Sequence, residues 1–220
     1  MQPVKVKLCG ITRPDDARQA VELGAWAIGL IFHPASPRSC EPAVAEEIAG
    51  ELHRHTEIAG VFVNRPLDEV AELADHCSLS ILQLHGDEGP IYCREAARRT
   101  GARVMKAVRV KDASTVRGLA AWGVDLHLLD AYVEGARGGT GETFNWELAG
   151  AHPGRVPLVL SGGLTPDNVG AGIAAVQPFA VDTASGTEAA PGRKDPAKVI
   201  AFFRAAEAAS ARLEPAGAAP

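Results

Sequence analysis

The chain has 220 residues, 46% of them hydrophobic and 5% aromatic, with a formal net charge of −5. That is enough to bury one sizeable core and predicts one domain spanning 1–212. Dispersed Lys and Arg with few aromatics argue against a nucleic-acid surface; strand-sized apolar runs argue against membrane spans, and the amino terminus lacks a targeting pattern, so a cytoplasmic protein is expected.

Short apolar runs recur at 4–9, 25–32, 57–63, 79–85, 103–108, 125–130, 156–160 and 178–183. Ala-rich amphipathic stretches separate them, including predicted helices over 13–23 and 42–53, the second opening with Pro42, where a first-turn proline is tolerated. Eight strand–helix units in about 200 residues describe a minimal (β/α)8 TIM barrel. An open doubly wound sheet would usually use fewer strands. Residues 213–220, Leu-Glu-Pro-Ala-Gly-Ala-Ala-Pro, are breaker-rich and are expected to fray.

In a barrel the chemistry gathers where strands end. The first run ends in Cys9-Gly10, the second in His33-Pro34 followed by Arg38, the fourth in Gln83-Leu84-His85-Gly86, the sixth in Asp130 and the eighth in Asp182. Cys9 and Asp130 are titratable groups at strand ends, a placement that suits a base and an acid. Side chains alternate along a strand, so Lys7 should share a face with Cys9 and Gln83 with His85. Lys7 then either supplies positive potential beneath the thiol or neutralises an interior acid such as Asp182. Arg38, stiffened by prolines, offers a fork for a planar carboxylate, and Asp182 either accepts from a sugar hydroxyl or braces the rim. His85 reads as a binding residue or a hydrogen-bonded core histidine. His53, His55, His76 and His152 read as surface residues.

Glycine clusters follow three consecutive runs: Gly138-Gly139-Thr140-Gly141, Ser161-Gly162-Gly163 and Ser185-Gly186. Bare backbone N–H groups there could converge on a phosphate, with Gly139, Gly141, Gly162, Gly163, Ser185 and Gly186 as candidates. Cys40, Cys77 and Cys93 form no Cys-x-x-Cys pair and read as small apolar fillers. No metal or cofactor site is expected, and the partner is a small molecule.

Seven segments in order resemble the phosphoribosylanthranilate isomerase family: Lys7-Leu-Cys-Gly-Ile-Thr12, Gly60-Val-Phe-Val-Asn64, Leu82-Gln-Leu-His-Gly86, Leu128-Leu-Asp130, Gly138-Gly-Thr-Gly141 with Phe144-Asn-Trp146, Leu160-Ser-Gly-Gly-Leu164, and Phe179-Ala-Val-Asp182 through Ser185-Gly-Thr-Glu188. Departures are Thr183-Ala184, in place of a hydrophobic residue and a serine, and Thr187, in place of valine. The resemblance implies a cofactor-free Amadori rearrangement of N-(5-phosphoribosyl)anthranilate in tryptophan biosynthesis, with Cys9 as base, Asp130 as acid and Arg38 on the anthranilate carboxylate. Efficient catalysis would then want the Asp130 pKa raised from about 3.9 and the Cys9 pKa lowered from about 8.5. The histidine-pathway aminoimidazole carboxamide isomerase is the nearest rival, but it uses an aspartate as base, and Cys9 argues against it. A non-catalytic phosphosugar-binding or redox-sensing barrel would leave the acid–base pair without purpose. A monomer and a homodimer both fit the sequence, and closure of the loops at 11–14 and 131–143 over substrate is expected.

Overall fold

The computed structural model describes residues 3–131 and 143–213. Eight parallel strands close into a barrel in chain order: β1 (Lys5–Cys9), β2 (Ala27–Ile31), β3 (Glu57–Phe62), β4 (Ile81–Leu84), β5 (Arg103–Val110), β6 (Leu126–Ala131), β7 (Leu158–Leu160) and β8 (Ala180–Thr183). Each falls on a predicted run. The TIM-barrel architecture follows from period-2 strands that turn one face inward and the other towards a helical sheath.

The inward face packs Ala59, Ile81, Met105, Ala107, Leu126, Leu128, Val159 and Ala180. Trp26 and Phe179 meet edge to face at 5.2 Å against this cluster, with Lys5 Nζ 4.9 Å from the phenyl centre. The outer face meets the helices α1 (Pro14–Glu22), α2 (Pro42–Leu52), α3 (Leu67–His76), α4 (Pro90–Thr100), α5 (Ala113–Gly118), α6 (Val169–Val176) and α7 (Pro196–Leu213). Pro42 does open α2, and α4 closes on Gly101, whose φ of 70° is the left-handed conformation glycine adopts without strain. Val199, Phe202, Phe203, Ala206 and Ala209 give α7 its apolar stripe.

Two departures are informative. After β6 a 3-10 segment, Trp146–Ala151, occupies the position of a full helix; Gly150, Pro153 and Gly154 leave little room to extend it. After β8 the chain makes a 3-10 turn (Ser185–Thr187) and a two-stranded hairpin, β9 (Glu188–Ala190) with β10 (Arg193–Lys194), before α7. Leu213, counted with the expected tail, ends α7 and packs against the core. The rest of that tail, and the expected lid at 131–143 apart from its two ends, lie outside the described residues.

Cys40, Cys77 and Cys93 are buried free thiols, as expected of fillers. His53, His55 and His76 are exposed, but His152 is not a simple surface residue: its Nε2 lies 2.9 Å from Nδ1 of His127, buried on the outer face of β6. Burial first, then the His152 charge, pushes the His127 pKa down to about 4. The unfolded chain therefore binds the proton that the folded chain refuses. The stability contributed is complete above about pH 6.5 and is lost as pH falls towards 4, by at most about 1.4 kcal/mol per pH unit. Thermal unfolding scanned from pH 7 to 4.5 should show this slope, and His127→Leu should flatten it.

Candidate active site

At the carboxyl ends of the strands a cavity of about 390 Å³ is lined by residues from seven of the eight strand–loop units, among them Cys9, Arg38, Gln83, His85, Asp130, Ser161 and Asp182. Alternation explains the convergence: each residue stands on, or just past, the inward face of its strand end.

The β1–β8 seam carries a buried ion pair. Lys7 and Asp182 are register partners, and the fully buried Lys7 Nζ donates to Asp182 Oδ1 at 2.9 Å. Ser161 Oγ donates to the other oxygen, Oδ2, at 3.2 Å. Cys9 pairs in register with Gly29 of β2, and the missing side chain there makes room: a Cβ on Gly29 would stand 2.6 Å from Cys9 Sγ and 3.1 Å from Lys7 Nζ. Thiol and ammonium thus share one hollow. Lys7 neutralises Asp182, and from the shared hollow its charge also acts on the thiol. The net effect on Cys9 is nevertheless opposite to expectation. Burial, the largest influence, pushes its pKa up, and the Lys7 charge only partly offsets it. Asp182 pairing raises the Lys7 pKa despite burial, so the cation persists.

Across the cavity, Asp130 Oδ1 accepts from the Ala131 N–H at 2.9 Å, and Oδ2 lies 3.2 Å from His85 Nε2. His85 Nδ1 is 3.2 Å from Gln83 Nε2, so the two residues do share a face. Gln83 Oε1 is buried with no hydrogen-bond partner among the described residues, an acceptor in the cavity wall. The direct approach of His85 to Asp130 was not legible in the sequence. Neither was the partner of Arg38: its Nε and Nη2 donate to the two carboxylate oxygens of Glu188, each at 2.8 Å. That fork, expected to be free for a ligand, is half occupied.

Of the phosphate candidates, Gly162, Gly163 and Ser185 line the cavity. Gly162 (φ 88°) crosses so close to β6 that a Cβ would stand 2.4 Å from the Ala131 nitrogen. Gly186 packs beneath, where a Cβ would meet the Leu164 carbonyl oxygen. Gly139 and Gly141 lie outside the described residues. The family departures are accommodated: Thr183 Oγ1 donates to Leu164 O at 2.8 Å and Thr187 Oγ1 to Ala184 O at 3.1 Å, so neither buried hydroxyl is orphaned. Among the described residues no cluster of three His, Cys, Asp or Glu side chains could hold a metal ion, and no helix is long and apolar enough to cross a membrane.

Residues 6–205 match the family model for N-(5'phosphoribosyl)anthranilate (PRA) isomerase. The N-(5'-phosphoribosyl)anthranilate isomerase of Geobacter metallireducens is 48% identical over 205 residues, covering 93% of this chain and 100% of the relative; that of Geobacter sulfurreducens is 49% identical over 204 residues, covering 93% and 98%. The crystal structure of phosphoribosyl anthranilate isomerase from Thermotoga maritima superposes with a TM-score of 0.84 at 39% identity, covering 93% of this chain and 99% of the other. Another solved isomerase, 38% identical with a TM-score of 0.81 and 93% and 99% coverage, is in complex with reduced 1-(o-carboxyphenylamino)-1-deoxyribulose 5-phosphate. On the strength of a match that runs through every barrel strand, the chain belongs to the N-(5'-phosphoribosyl)anthranilate isomerase family, enzymes of tryptophan biosynthesis.

Proposed function

We propose that this chain converts N-(5-phosphoribosyl)anthranilate to 1-(2-carboxyphenylamino)-1-deoxyribulose 5-phosphate, with Asp130 as general acid and Cys9 as general base. The observation that carries this reading is one cavity lined by both groups, by Arg38 and by the glycine-rich loops after β7 and β8. Asp130 protonates the furanose oxygen, the bond from that oxygen to the anomeric carbon breaks, and the anthranilate nitrogen becomes an iminium. Cys9, as thiolate, removes the proton from the second sugar carbon to give an enolamine. Proton transfer from the enol oxygen to the first carbon completes the ketone, with no net gain or loss of atoms. Acid–base groups placed this way contribute about 10²–10⁴-fold each.

The N–H groups of Gly162, Gly163, Ser185 and Gly186 are the proposed phosphate cradle, in the position where barrels commonly hold phosphate. Asp182, engaged by Lys7 and Ser161, retains lone pairs for a sugar hydroxyl. His85 steadies Asp130 and faces the sugar, and Arg38 takes the anthranilate carboxylate.

Substrate generated in situ should lose its anthranilate-adduct fluorescence rapidly when the protein is added; no loss would refute the activity. Arg38→Ala should raise KM at least tenfold with a smaller effect on kcat, because a carboxylate that itself makes and breaks no bond is held alike in ground and transition states. An unchanged KM would remove Arg38 from the site.

A further inference from the structure

The loops after β1, β2 and β8 are fastened together around one side chain. The Arg38 stem passes over Gly10, where a Cβ would stand 2.9 Å from Cδ. Thr12 Oγ1 donates to Gly192 O at 2.5 Å, and the Gly192 N–H donates back into the cluster, to Glu188 Oε1, at 3.2 Å. Glu188 is 8% exposed and grips the Nε side of the guanidinium with both oxygens.

A guanidinium carries five N–H groups, of which Glu188 takes two. The two on Nη1 and the second on Nη2 remain, and they form another fork at the end of the group, of the right shape for a second carboxylate. Charge permits it. Lys194, 2% exposed, donates Nζ to Ala184 O at 2.8 Å and stands 3.8 Å from Glu188 Oε1, so two cations face one carboxylate.

We propose that Glu188 is a positioning residue for substrate selection: by occupying the Nε edge of Arg38 it turns the Nη1/Nη2 edge to the cavity and presets it for the ring carboxylate of the substrate. The proposal rests on the reading of Arg38 given above. A purely structural Arg38–Glu188 pair would serve ligands with and without that carboxylate equally. A positioning pair serves only the first.

Calorimetric titration with two probes separates these cases: reduced 1-(o-carboxyphenylamino)-1-deoxyribulose 5-phosphate, and the same compound lacking the ring carboxylate. The wild type should favour the carboxylated probe by about tenfold or more. Glu188→Gln should lose most of that preference while its affinity for the second probe stays within about twofold of the wild type. Arg38→Lys, which keeps the charge but has no fork, should lose the preference too, and the double variant should lose no more than Arg38→Lys alone. A wild-type preference retained by Glu188→Gln, or an equal weakening of both probes, overturns the proposal. A wild type with no preference would instead overturn the reading of Arg38, and that is visible before any variant is made.

Discussion

Asp130→Asn and Cys9→Ala are each expected to lower kcat by about 10²–10⁴-fold while leaving the circular dichroism and the affinity for the reduced product analogue near wild type. Asparagine preserves the shape and the acceptor for the Ala131 N–H but has no carboxyl proton to give. Alanine removes the thiol from the hollow beside Gly29 and leaves space rather than a clash. The pH dependence distinguishes the two roles. Burial holds the Cys9 pKa above that of a free thiol, so the thiolate fraction climbs as the medium becomes alkaline; in the wild type the need for a protonated acid opposes that gain, and Asp130→Asn removes the opposition. The residual kcat/KM should therefore climb with pH in Asp130→Asn and not in Cys9→Ala. A loss below about threefold in either variant would take that residue out of the acid–base pair.

Lys7→Met should have the largest effect on stability. Asp182 would be left 5% exposed with only the Ser161 hydroxyl, and an uncompensated buried charge costs about 3–5 kcal/mol. Denaturant titration should show this as a fall in the midpoint, and Lys7→Met/Asp182→Asn should recover much of it by removing the stranded charge. The rate should recover only in part. Lys7 lowers the Cys9 pKa and Asp182 raises it by less, so kcat/KM at a given pH should fall in the single variant and stay below the wild type in the double. A rate profile superimposable on the wild type in both would reduce Lys7 to a neutralising partner for Asp182.

Where the sequence was legible, the reason is local periodicity. Cys9, His85, Asp130 and Asp182 close apolar runs, and a two-residue repeat is enough to turn them, with Lys7 and Gln83, to one face. Glycines at 162 and 186 stood out as members of loop clusters able to present bare N–H groups; that each also lies against neighbouring backbone with no room for a Cβ is visible only in the fold. What escaped was long-range or collective. Glu188 meets Arg38 across 150 residues of chain, and no spacing rule links a loop after the second strand to a hairpin after the eighth. His85 and Asp130 come together only once the ring closes. The direction of the Cys9 shift was misjudged for a related reason: a neighbouring cation can be anticipated by alternation, whereas the depth of burial that outweighs it is a property of the finished core.

Lys7 and Asp182 are 175 residues apart in the chain, and Lys194, the second cation facing Glu188, comes later still. During synthesis from the amino end, then, the thiol strand leaves the ribosome long before its electrostatic partners exist. A growing chain should acquire catalytic competence abruptly and late, after the hairpin has emerged, and polypeptides stalled before that point should carry an accessible, oxidisable Cys9 that the mature protein hides.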